Sequence, residues 1–255
     1  MDKIKISVVV ITRNEEKMIN DCLKTINFAD EIIVIDSFST DRTVQIAERI
    51  GAKVYRFRFT NFADLRNFGS AKASFKWIFY LDADERVSPK LAKEIIDKIS
   101  KPEEYSAFAI PRLNVFFQTP MRFGGWFPDY QTKLFNKEKL EHWFGDIHES
   151  PKVMGKVGKL KNHLVHLTHR SFHDSFEKSS FWTDIEANLF FRAKHPTLKI
   201  YNFINVIFKE FFNRVLFKFG FADGSVGWIE GMIQAFNKFL VYAQLWEKQQ
   251  ANSDR

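Results

Sequence analysis

The chain has 255 residues, a length that allows one large or two small domains with a buried core. Lysine and arginine number 38 against 31 aspartates and glutamates, and the net charge of +7 favours anionic partners such as sugar nucleotides, nucleic acid or an acidic membrane. The single cysteine, Cys22, excludes an internal disulfide and a cysteine-cluster metal site. Because it lies in a helical pattern, we expect an inert core thiol.

The apolar run near the N-terminus, Ile6–Ile11, is too short for the hydrophobic region of a signal peptide or for a membrane span. No other stretch reaches spanning length without charged residues. We therefore expect a cytoplasmic protein that can lie on a membrane surface.

Strand and helix patterns alternate four times in the first hundred residues. The predicted strands are Ile4–Ile11, Glu31–Ile35, Ala52–Phe59 and Trp77–Leu81. The predicted helices are Glu16–Ile26, a segment from Val44 to Ile50 that Gly51 closes, Phe62–Ala73, and a segment that Ser88 and Pro89 begin. Short connections between these elements predict right-handed β-α-β units, a mostly parallel sheet and an α/β fold.

Beyond residue 100 the pattern changes. Strands are predicted at Tyr105–Arg112, Gln131–Asn136 and Leu164–Thr168, and Asn114–Tyr130 has the composition of a loop. From Ser171 to the end the periodicity is helical. The sequence therefore predicts one domain over residues 1–170 and a helical region over residues 171–255.

The stretch WIFYLDADE, Trp77–Glu85, delivers two aspartates at the carboxyl end of an apolar strand, where open α/β sheets bind ligands. Alternate residues of a strand point the same way, so Asp82 and Asp84 are expected to share one site. Paired carboxylates suit Mg²⁺ or Mn²⁺ together with substrate phosphates. The alternative is a solvated turn with a helix-capping aspartate, and a lone D-x-D favours that alternative.

Polar residues also follow the first two strands. Asp36 ends the second strand, and a carboxylate there can accept hydrogen bonds from a nucleotide base or ribose. Asp41 either does the same or caps the next helix. The segment Thr12–Glu16 is expected to face the same crevice. It contains neither G-x-G-x-x-G nor a Walker-type phosphate loop, so the dinucleotide and P-loop interpretations are not supported.

Three segments in order, SVVVITRNEE, IIVIDSFSTDRT and ADLRNFGSAKASFKWIFYLDADE, resemble the nucleotide-binding half of family 2 glycosyltransferases, inverting enzymes with the GT-A fold. The resemblance covers residues 6–85 and implies a nucleotide-binding half over 1–100 and an acceptor-binding half over 101–170. It implies a divalent cation, Mg²⁺ or Mn²⁺, with Asp84 as its main ligand. It also implies contacts with the nucleotide sugar from Thr12, Asn14, Glu15, Asp36, Arg66, Asn67 and Asp82.

A second set of segments, AIPRLNVFFQTPMRFGGWFPDYQTKLFN, DIHES and LKNHLVHLTHRSF, resembles small bacterial glucosyltransferase-like enzymes of lipopolysaccharide core assembly. This narrower resemblance implies a UDP-sugar donor, with glucose favoured, and a lipid-linked glycan acceptor at the cytoplasmic face of the inner membrane. Lys133 stands where that group often has arginine. Lysine keeps the charge and loses the bidentate fork, which weakens the expected contact with the diphosphate.

Inverting transfer needs a carboxylate that takes the proton of the acceptor hydroxyl. The resemblance favours Glu149, in DIHES, over Asp129, which would then hold an acceptor hydroxyl. For both carboxylates the alternative is an exposed loop position. Trp126, after two glycines, is expected to cover the apolar side of an acceptor sugar.

Six of the seven histidines lie between residues 142 and 173, namely His142, His148, His163, His166, His169 and His173. The resemblance implies that His166 completes the metal site with Asp84, since imidazole is an acceptable Mn²⁺ ligand. Any single histidine is more often a core or surface residue than a ligand.

The last third of the chain contains two amphipathic helical patterns with basic residues beside an aromatic face. Such a face lies well on anionic lipid, and it equally fits packing on the catalytic domain or on a second subunit. We expect membrane contact from the first helix, through residues such as Ile204, Phe208 and Phe212, and packing from the second.

The sequence therefore predicts a metal-dependent glycosyltransferase. A sugar nucleotidyltransferase is the enzymatic alternative, but such enzymes are expected to have a glycine- and lysine-rich loop after the first strand. A basic protein that binds membrane or nucleic acid without catalysis is the other alternative. The basic residues form no dense tract and no nucleic-acid motif is present, so no nucleic-acid partner is expected.

Overall fold

The computed structural model describes residues 4–58, 60–101, 104–145 and 149–253. The strands are β1 (Ile6–Thr12), β2 (Glu31–Asp36), β3 (Lys53–Arg56), β4 (Trp77–Asp82), β5 (Glu85–Val87), β6 (Tyr105–Phe116), β7 (Thr119–Pro120), β8 (Asp129–Asn136), β9 (Leu140–Phe144), β10 (Ser150–Val153), β11 (Lys156–Lys159) and β12 (Leu164–His169). The helices are α1 (Ile19–Lys24), α2 (Thr43–Arg49), α3 (Phe62–Lys72), α4 (Pro89–Ser100), α5 (Phe172–Arg192), α6 (Ile200–Phe212) and α7 (Gly224–Ser253). Between α6 and α7 lie a π-helical turn, Asn213–Phe217, and a 3₁₀ turn, Gly220–Asp223.

Residue contacts group the chain into two compact units. The first unit comprises Met1–Arg112 and Asp129–His166, and the second comprises Leu113–Pro128 and Leu167–Arg255. The sequence predicts a single boundary at residue 170, whereas the structure assigns 113–128 to the helical unit. The reason is local, because backbone groups of residues 122–124 hydrogen-bond to the segment that joins α6 to α7.

The first unit contains a mixed sheet in the order β3-β2-β1-β4-β8-β6-β12-β5. The first four strands are parallel, as the sequence predicts, and β8 runs antiparallel to both β4 and β6. The predicted α/β fold is therefore confirmed. Its parallel strands carry almost unbroken apolar runs because helices cover both faces of the sheet.

Alternate residues of β1 pack into two different core layers. Ile6, Val8 and Val10 lie in one layer with apolar residues of α1 and α4. Val9 and Ile11 lie in the other layer with apolar residues of α3. This period of two follows from the pleat of a strand, and it fixes the register that aligns the strand ends.

Helix α3 approaches the sheet closely at Gly69. A Cβ atom there would lie 2.5 Å from Val9 Cγ1, so only glycine permits the contact. The side chain of Asn61 caps the helix by accepting from Asp64 N at 2.7 Å. The close approach and the cap set the position of Arg66, one helical turn into α3.

Two predicted elements are shorter than expected. Helix α1 covers Ile19–Lys24 rather than Glu16–Ile26, because the amides of Glu15 and Glu16 donate to the side chains of Thr43 and Asp41. Strand β3 ends at Arg56. The end of the predicted strand Ala52–Phe59, at residue 59, lies outside the described residues.

The second unit is mainly helical and also contains β7, the last residues of β6 and β12, and the loop that ends at residue 128. Its small core contains Ala187, Leu198, Val241 and Leu245. Helix α6 packs on α7 through rings such as Phe203 against Phe239, yet it has no fully buried residue. Among the described residues no helix is long and apolar enough to cross a membrane.

Candidate active site

The polar residues singled out in the sequence lie where the parallel strands end. Thr12 pairs with Asp36 across β1 and β2, and Ile11 pairs with Asp82 across β1 and β4. The carboxyl ends of three neighbouring strands are therefore level. Open α/β sheets bind ligands at this edge, beside the strand at which the order reverses.

The loops that follow β1 and β2 are joined by hydrogen bonds. Asn14 has φ 53°, donates its backbone N–H to Ser39 Oγ at 2.8 Å, and accepts from Thr40 N through Oδ1 at 2.8 Å. Asp41 accepts from the backbone amides of Thr43 and Glu16. Asp41 therefore joins the turn before α2 to the loop after β1, although the N-cap position of α2 is Arg42, and Asn14 and Glu15 lie in a preformed wall beside the strand ends.

Asp36 is fully buried, and its carboxylate accepts from Ser39 N at 3.1 Å. Beside it the hydroxyls of Thr12 and Ser37 are buried, and neither has a hydrogen-bond partner. Buried hydroxyls are nearly always satisfied in native proteins. Unpartnered hydroxyls at the ends of two adjacent strands are what a site for a polar ligand would leave.

Asp82 is held by two cations. Its Oδ2 accepts from Lys133 Nζ at 2.8 Å, and its Oδ1 accepts from Arg66 Nη2 at 3.3 Å. Burial alone would raise the pKa of the Asp82 carboxyl, but Lys133 and Arg66 outweigh burial and hold that pKa well below its usual range. Asp82 is therefore ionised at every physiological pH.

Glu85 is a member of the site that sequence reasoning missed. It is fully buried and accepts from Lys133 Nζ at 2.6 Å and from Asp82 N at 3.0 Å, while its Oε1 has no hydrogen-bond partner. Arg112 Nη1 lies 3.9 Å from that oxygen. The only signal in the sequence is its place directly after the D-x-D, and a surface turn explains that place equally well.

Arg66 connects this cluster to Glu149. Its Nε and Nη2 lie 3.0 and 2.9 Å from Glu149 Oε1, and its guanidinium lies 4.9 Å from the ring of Trp143. Burial alone would lower the pKa of Arg66, but the carboxylates of Asp82 and Glu149 raise it above its ordinary value. Asn67 instead makes two hydrogen bonds to the backbone of Trp143: its Oδ1 accepts from the N–H and its Nδ2 donates to the C=O. Glu149 is the fourth residue of the DIHES motif. The first three, 146–148, lie outside the described residues.

Asp129 stands at the opposite end of the same cluster. Its Oδ2 accepts from Arg112 Nε at 2.8 Å and lies 2.6 Å from Nη2, and Gln131 Nε2 donates to its Oδ1 at 2.7 Å. The cluster thus alternates in charge along the first unit, in the order Glu149, Arg66, Asp82, Lys133, Glu85, Arg112 and Asp129. Both candidate bases are oriented by an arginine.

Asp84 lies in the turn that follows β4 and is paired with His166. Strand β4 ends at Asp82, so the alternation argument that aligns the two aspartates does not apply, and Asp84 occupies the turn before β5. The antiparallel register sets His166 opposite Glu85, and His166 Nε2 lies 3.4 Å from Asp84 Oδ2. Among the described residues no group of three or more histidine, cysteine or acidic side chains could hold a metal.

Trp126 belongs to the second unit. Its ring packs edge-to-face on Phe116, with centroids 4.7 Å apart, and Arg214 lies over its face at 4.7 Å. Asn114 Nδ2 donates to the carbonyl of Trp126 at 3.2 Å. The ring is thus fixed by its own unit.

The sequence profile of glycosyl transferase family 2 matches residues 7–154, which is more than half of the chain and contains nearly all the residues described above. The chain belongs to glycosyl transferase family 2. An uncharacterized glycosyltransferase of Rickettsia bellii is 32% identical over 95% of this chain and 86% of its own length. A lipopolysaccharide core biosynthesis glycosyltransferase, LpsC of Rhizobium meliloti, is 24% identical over 96% of this chain and 93% of its own.

Solved structures agree on the fold. The S. aureus TarS fragment 1–349 in complex with UDP-GlcNAc has a TM-score of 0.52 and 16% identity, and the match covers 98% of this chain and 92% of that one. Glucosyl-3-phosphoglycerate synthase from Mycobacterium tuberculosis in complex with Mn²⁺, UDP and phosphoglyceric acid has a TM-score of 0.50 and 16% identity, with 73% and 77% covered. The family 2 glycosyltransferase resemblance and the GT-A fold are therefore confirmed, and the nucleotidyltransferase and non-enzymatic alternatives lose their support.

Proposed function

We propose that this glycosyltransferase transfers a sugar, with inversion, from a nucleoside-diphosphate donor to a lipid-linked glycan such as a lipopolysaccharide core. The observation that carries the proposal is the Asp84–His166 pair beside the buried cluster around Asp82, at the carboxyl ends of the strands. UDP and glucose are the favoured donor components. The relatives support this choice, because one bears a lipopolysaccharide-core name and structural neighbours contain UDP or UDP-GlcNAc.

In this proposal the first unit binds the donor. Thr12 and Ser37 offer buried hydroxyls without partners, and the wall formed by Asn14 and Glu15 lines the nucleoside. Asp36 accepts from Ser39 N and so fixes the loop after β2. We therefore propose that Asp36 positions this loop beside the nucleotide base, and that it contacts the base itself only if the loop shifts. Arg66 and Lys133 are each shared between two carboxylates of the cluster, so we assign them to positioning those carboxylates beside the diphosphate, while Asn67 acts by holding Trp143.

The donor set fits a divalent cation that the substrate helps to ligate. A carboxylate and an imidazole within 3.4 Å of one another, Asp84 and His166, are suited to Mn²⁺ or Mg²⁺ when phosphate oxygens complete the coordination. Such an ion supplies charge neutralisation to the leaving diphosphate. Asp82 is already neutralised by Lys133 and Arg66, so we assign it to orientation of those cations rather than to the metal.

The chemical step moves one proton and one electron pair. The acceptor hydroxyl oxygen forms a bond to the anomeric carbon, the bond from that carbon to the diphosphate oxygen breaks, and the diphosphate leaves with the electron pair. A carboxylate takes the hydroxyl proton. We propose Glu149 for this role, oriented by Arg66, with Asp129 as a hydrogen-bond acceptor for another acceptor hydroxyl.

A lipid-linked acceptor requires contact with a membrane, and α6 offers a surface for it. Large apolar side chains recur at every fourth residue and form one exposed ridge, because residues four apart are neighbours on a helix. This α6 ridge consists of Ile200 (79% exposed), Ile204 (53%), Phe208 (57%) and Phe212 (41%), and the exposed Leu216 (42%) follows it in the π-helical turn.

The charges around the α6 ridge favour anionic lipid over a second copy of the chain. Lys199, Lys209 and Lys218 are exposed along the same segment. Its one acidic residue, Glu210, is paired with Arg214 at 2.6 Å. We therefore propose a peripheral protein that places α6 on the cytoplasmic leaflet of the inner membrane, with Trp126 covering one face of an acceptor sugar.

The donor proposal is tested by calorimetric titration with UDP, with and without Mn²⁺. We expect metal-dependent binding that Asp84→Ala abolishes and that Asp97→Ala, an exposed aspartate on α4, leaves intact. Transfer that survives both chelation by EDTA and Asp84→Ala would overturn the metal-dependent mechanism.

The membrane proposal is tested by co-sedimentation with vesicles of phosphatidylglycerol and phosphatidylcholine. We expect binding that falls with salt and is lost in Ile204→Ser/Phe208→Ser. The matched control is Met154→Ser/Val157→Ser, which removes apolar side chains of similar exposure, 48% and 46%, from the first unit. A concentration-dependent dimer without vesicle binding would assign the α6 ridge to a second copy instead.

A further inference from the structure

In the second unit, the segment between α6 and α7 binds the loop that carries Trp126. We call residues 213–223 the corner and residues 121–127 the Trp126 loop. Asp223 accepts from Arg122 N at 3.1 Å and from Phe123 N at 2.9 Å. Gly124 completes the contact, because its N–H donates to Lys218 O at 2.8 Å and its C=O accepts from Arg214 Nη1 at 3.2 Å.

The side chain of Arg214 adds a second kind of contact, since its guanidinium lies 4.7 Å from the Trp126 ring. Three successive amides and the ring of the Trp126 loop therefore depend on the corner. Backbone packing supports this, because a Cβ on Gly220 of the corner would lie 3.4 Å from Gly124 Cα of the loop. The loop has little freedom as long as the corner keeps its shape.

The same corner exposes aromatic side chains. Phe217, Phe219 and Phe221 are 77%, 57% and 44% exposed, and they follow the α6 ridge in the sequence. Lys218 is exposed between them. Three exposed phenylalanines around a lysine are suited to the interface of an anionic bilayer, where rings enter the acyl boundary and the ammonium stays with the headgroups.

We propose that the corner is a lipid-facing clasp that fixes the Trp126 loop when the protein lies on a membrane. Asp223 and Arg214 are its positioning residues, and they act through the loop rather than on a substrate. The inference rests on the membrane contact proposed above. It adds that the membrane, which holds the lipid-linked acceptor, also stabilises the conformation of the Trp126 loop.

The coupling follows from linkage. An amide of Arg122 or Phe123 exchanges its hydrogen only after its bond to Asp223 breaks, which requires the corner or the loop to open. If lipid binds the closed corner and not the open one, exchange slows by the factor 1 + [L]/Kd. At a lipid concentration about ten times Kd, exchange at these amides is expected to slow about tenfold.

The test is hydrogen–deuterium exchange of the full chain, with and without vesicles of phosphatidylglycerol and phosphatidylcholine, in peptides that cover the Trp126 loop. In the wild type we expect the slowing given above. Asp223→Ala is expected to bind vesicles still, because Phe217, Phe219 and Phe221 remain, and to lose the slowing at Arg122 and Phe123. Asp184→Ala, an exposed aspartate of α5 paired with Lys248, is the matched control and is expected to keep it.

Asp223→Asn covers the case in which the alanine variant fails to fold, because it keeps one acceptor oxygen and is expected to show partial slowing. Phe217→Ser/Phe221→Ser is expected to weaken vesicle binding and abolish the slowing, while Phe144→Ser, 51% exposed in the first unit, changes neither. Wild type that binds vesicles with no change in the loop overturns the clasp and leaves the membrane proposal standing. Wild type that binds no vesicles overturns the membrane contact itself.

Discussion

Two acidic centres lie at opposite ends of the parallel strands of the sheet, and they differ in the groups that bind their carboxylates. Glu31 begins β2, and its carboxylate accepts from Ser7 Oγ at 2.6 Å, from Ser74 N and Oγ at 2.8 Å each, and from Lys53 Nζ at 2.8 Å. Three of these four donors are neutral, and Lys53 is largely exposed. Protein donors therefore replace the hydrogen bonds to water that the carboxylate of Glu31 loses on burial.

The centre at the carboxyl ends is built from charges. Asp82 and Glu85 share Lys133, and Arg66 and Arg112 extend the alternation on either side. Satisfaction is incomplete here, because Glu85 Oε1 and Arg66 Nη1 are buried without hydrogen-bond partners. Replacing buried ion networks by apolar side chains is often neutral or stabilising, so stability alone does not account for such a cluster.

The kind of hydrogen-bond partner therefore distinguishes Glu31, which has a structural role, from the cluster around Asp82, which we expect to be functional. No sequence motif is needed for this distinction. Neutral donors that close around one carboxylate stabilise the fold. Fixed charges with unmatched polar atoms at the ligand-binding edge provide a preorganised field for a ligand that carries its own charge. We therefore expect changes at the carboxyl ends to affect activity and changes at Glu31 to affect stability.

The largest expected effect is on catalysis. Glu149→Gln keeps the shape and the contact with Arg66 but cannot take a proton, so kcat is expected to fall by about 10²- to 10⁴-fold, the usual contribution of a general base. Asp129→Asn is expected to raise KM for the acceptor more than it lowers kcat. The measurement is steady-state transfer from a UDP-sugar, with UDP affinity and thermal unfolding as controls. The opposite ranking would assign the base to Asp129.

The next effect is on stability. Glu31→Ala removes the acceptor shared by Ser7 and Ser74, and leaving these buried groups unpaired is expected to cost about 2–4 kcal/mol of the free energy of unfolding. Urea titration measures the loss, and Glu48→Ala, exposed on α2, is the matched control. UDP binding by the folded variant is expected to be unchanged. Weakened UDP binding at equal folded fraction would show that the two ends of the strands are coupled.

The pH dependence of stability sharpens the same contrast. Burial alone would raise the pKa of Glu31, but hydrogen bonds from Lys53, Ser7 and Ser74 lower it to about 2 from an ordinary 4.5. A lowered pKa contributes stability above the ordinary value and loses it as pH falls toward the folded-state value. The difference in melting temperature between wild type and Glu31→Gln is therefore expected to shrink between pH 5 and pH 2. A difference in melting temperature that stays constant over this range would show that the ionised form of Glu31 does not contribute to stability.

Much of the first unit follows from local pattern. The four parallel strands are visible as apolar runs, and the Ser88-Pro89 helix start is visible as a capping signal, because both depend on nearest neighbours in sequence. Thr12, Asp36 and Asp82 are found for the same reason. They close strands, and strands in register end together.

What the sequence leaves open depends on long-range pairing. Lys133 reaches Asp82 only because β8 runs antiparallel beside β4, and Glu85 is buried only because that lysine and Arg112 meet it there. The grouping of the Trp126 loop with the C-terminal helices rests on Asp223, about a hundred residues away in sequence. Neither contact has a local signature.

The smallest expected effect uses Cys22 as a reporter of the carboxyl-end edge. The thiol is fully buried, and its Sγ lies 3.6 Å from Asp82 O. Burial raises the pKa of this thiol, while Arg86 only partly opposes that, so the reactive thiolate is scarce in the folded protein. Labelling by N-ethylmaleimide is therefore expected to require an opening of the structure.

UDP with Mn²⁺ at about ten times Kd is then expected to slow labelling of Cys22 about tenfold if the opening disrupts the donor site. Labelling that proceeds at the same rate with and without UDP would mean that Cys22 becomes accessible while the strand ends stay closed, and that the buried cluster is more stable than the helix packed behind it.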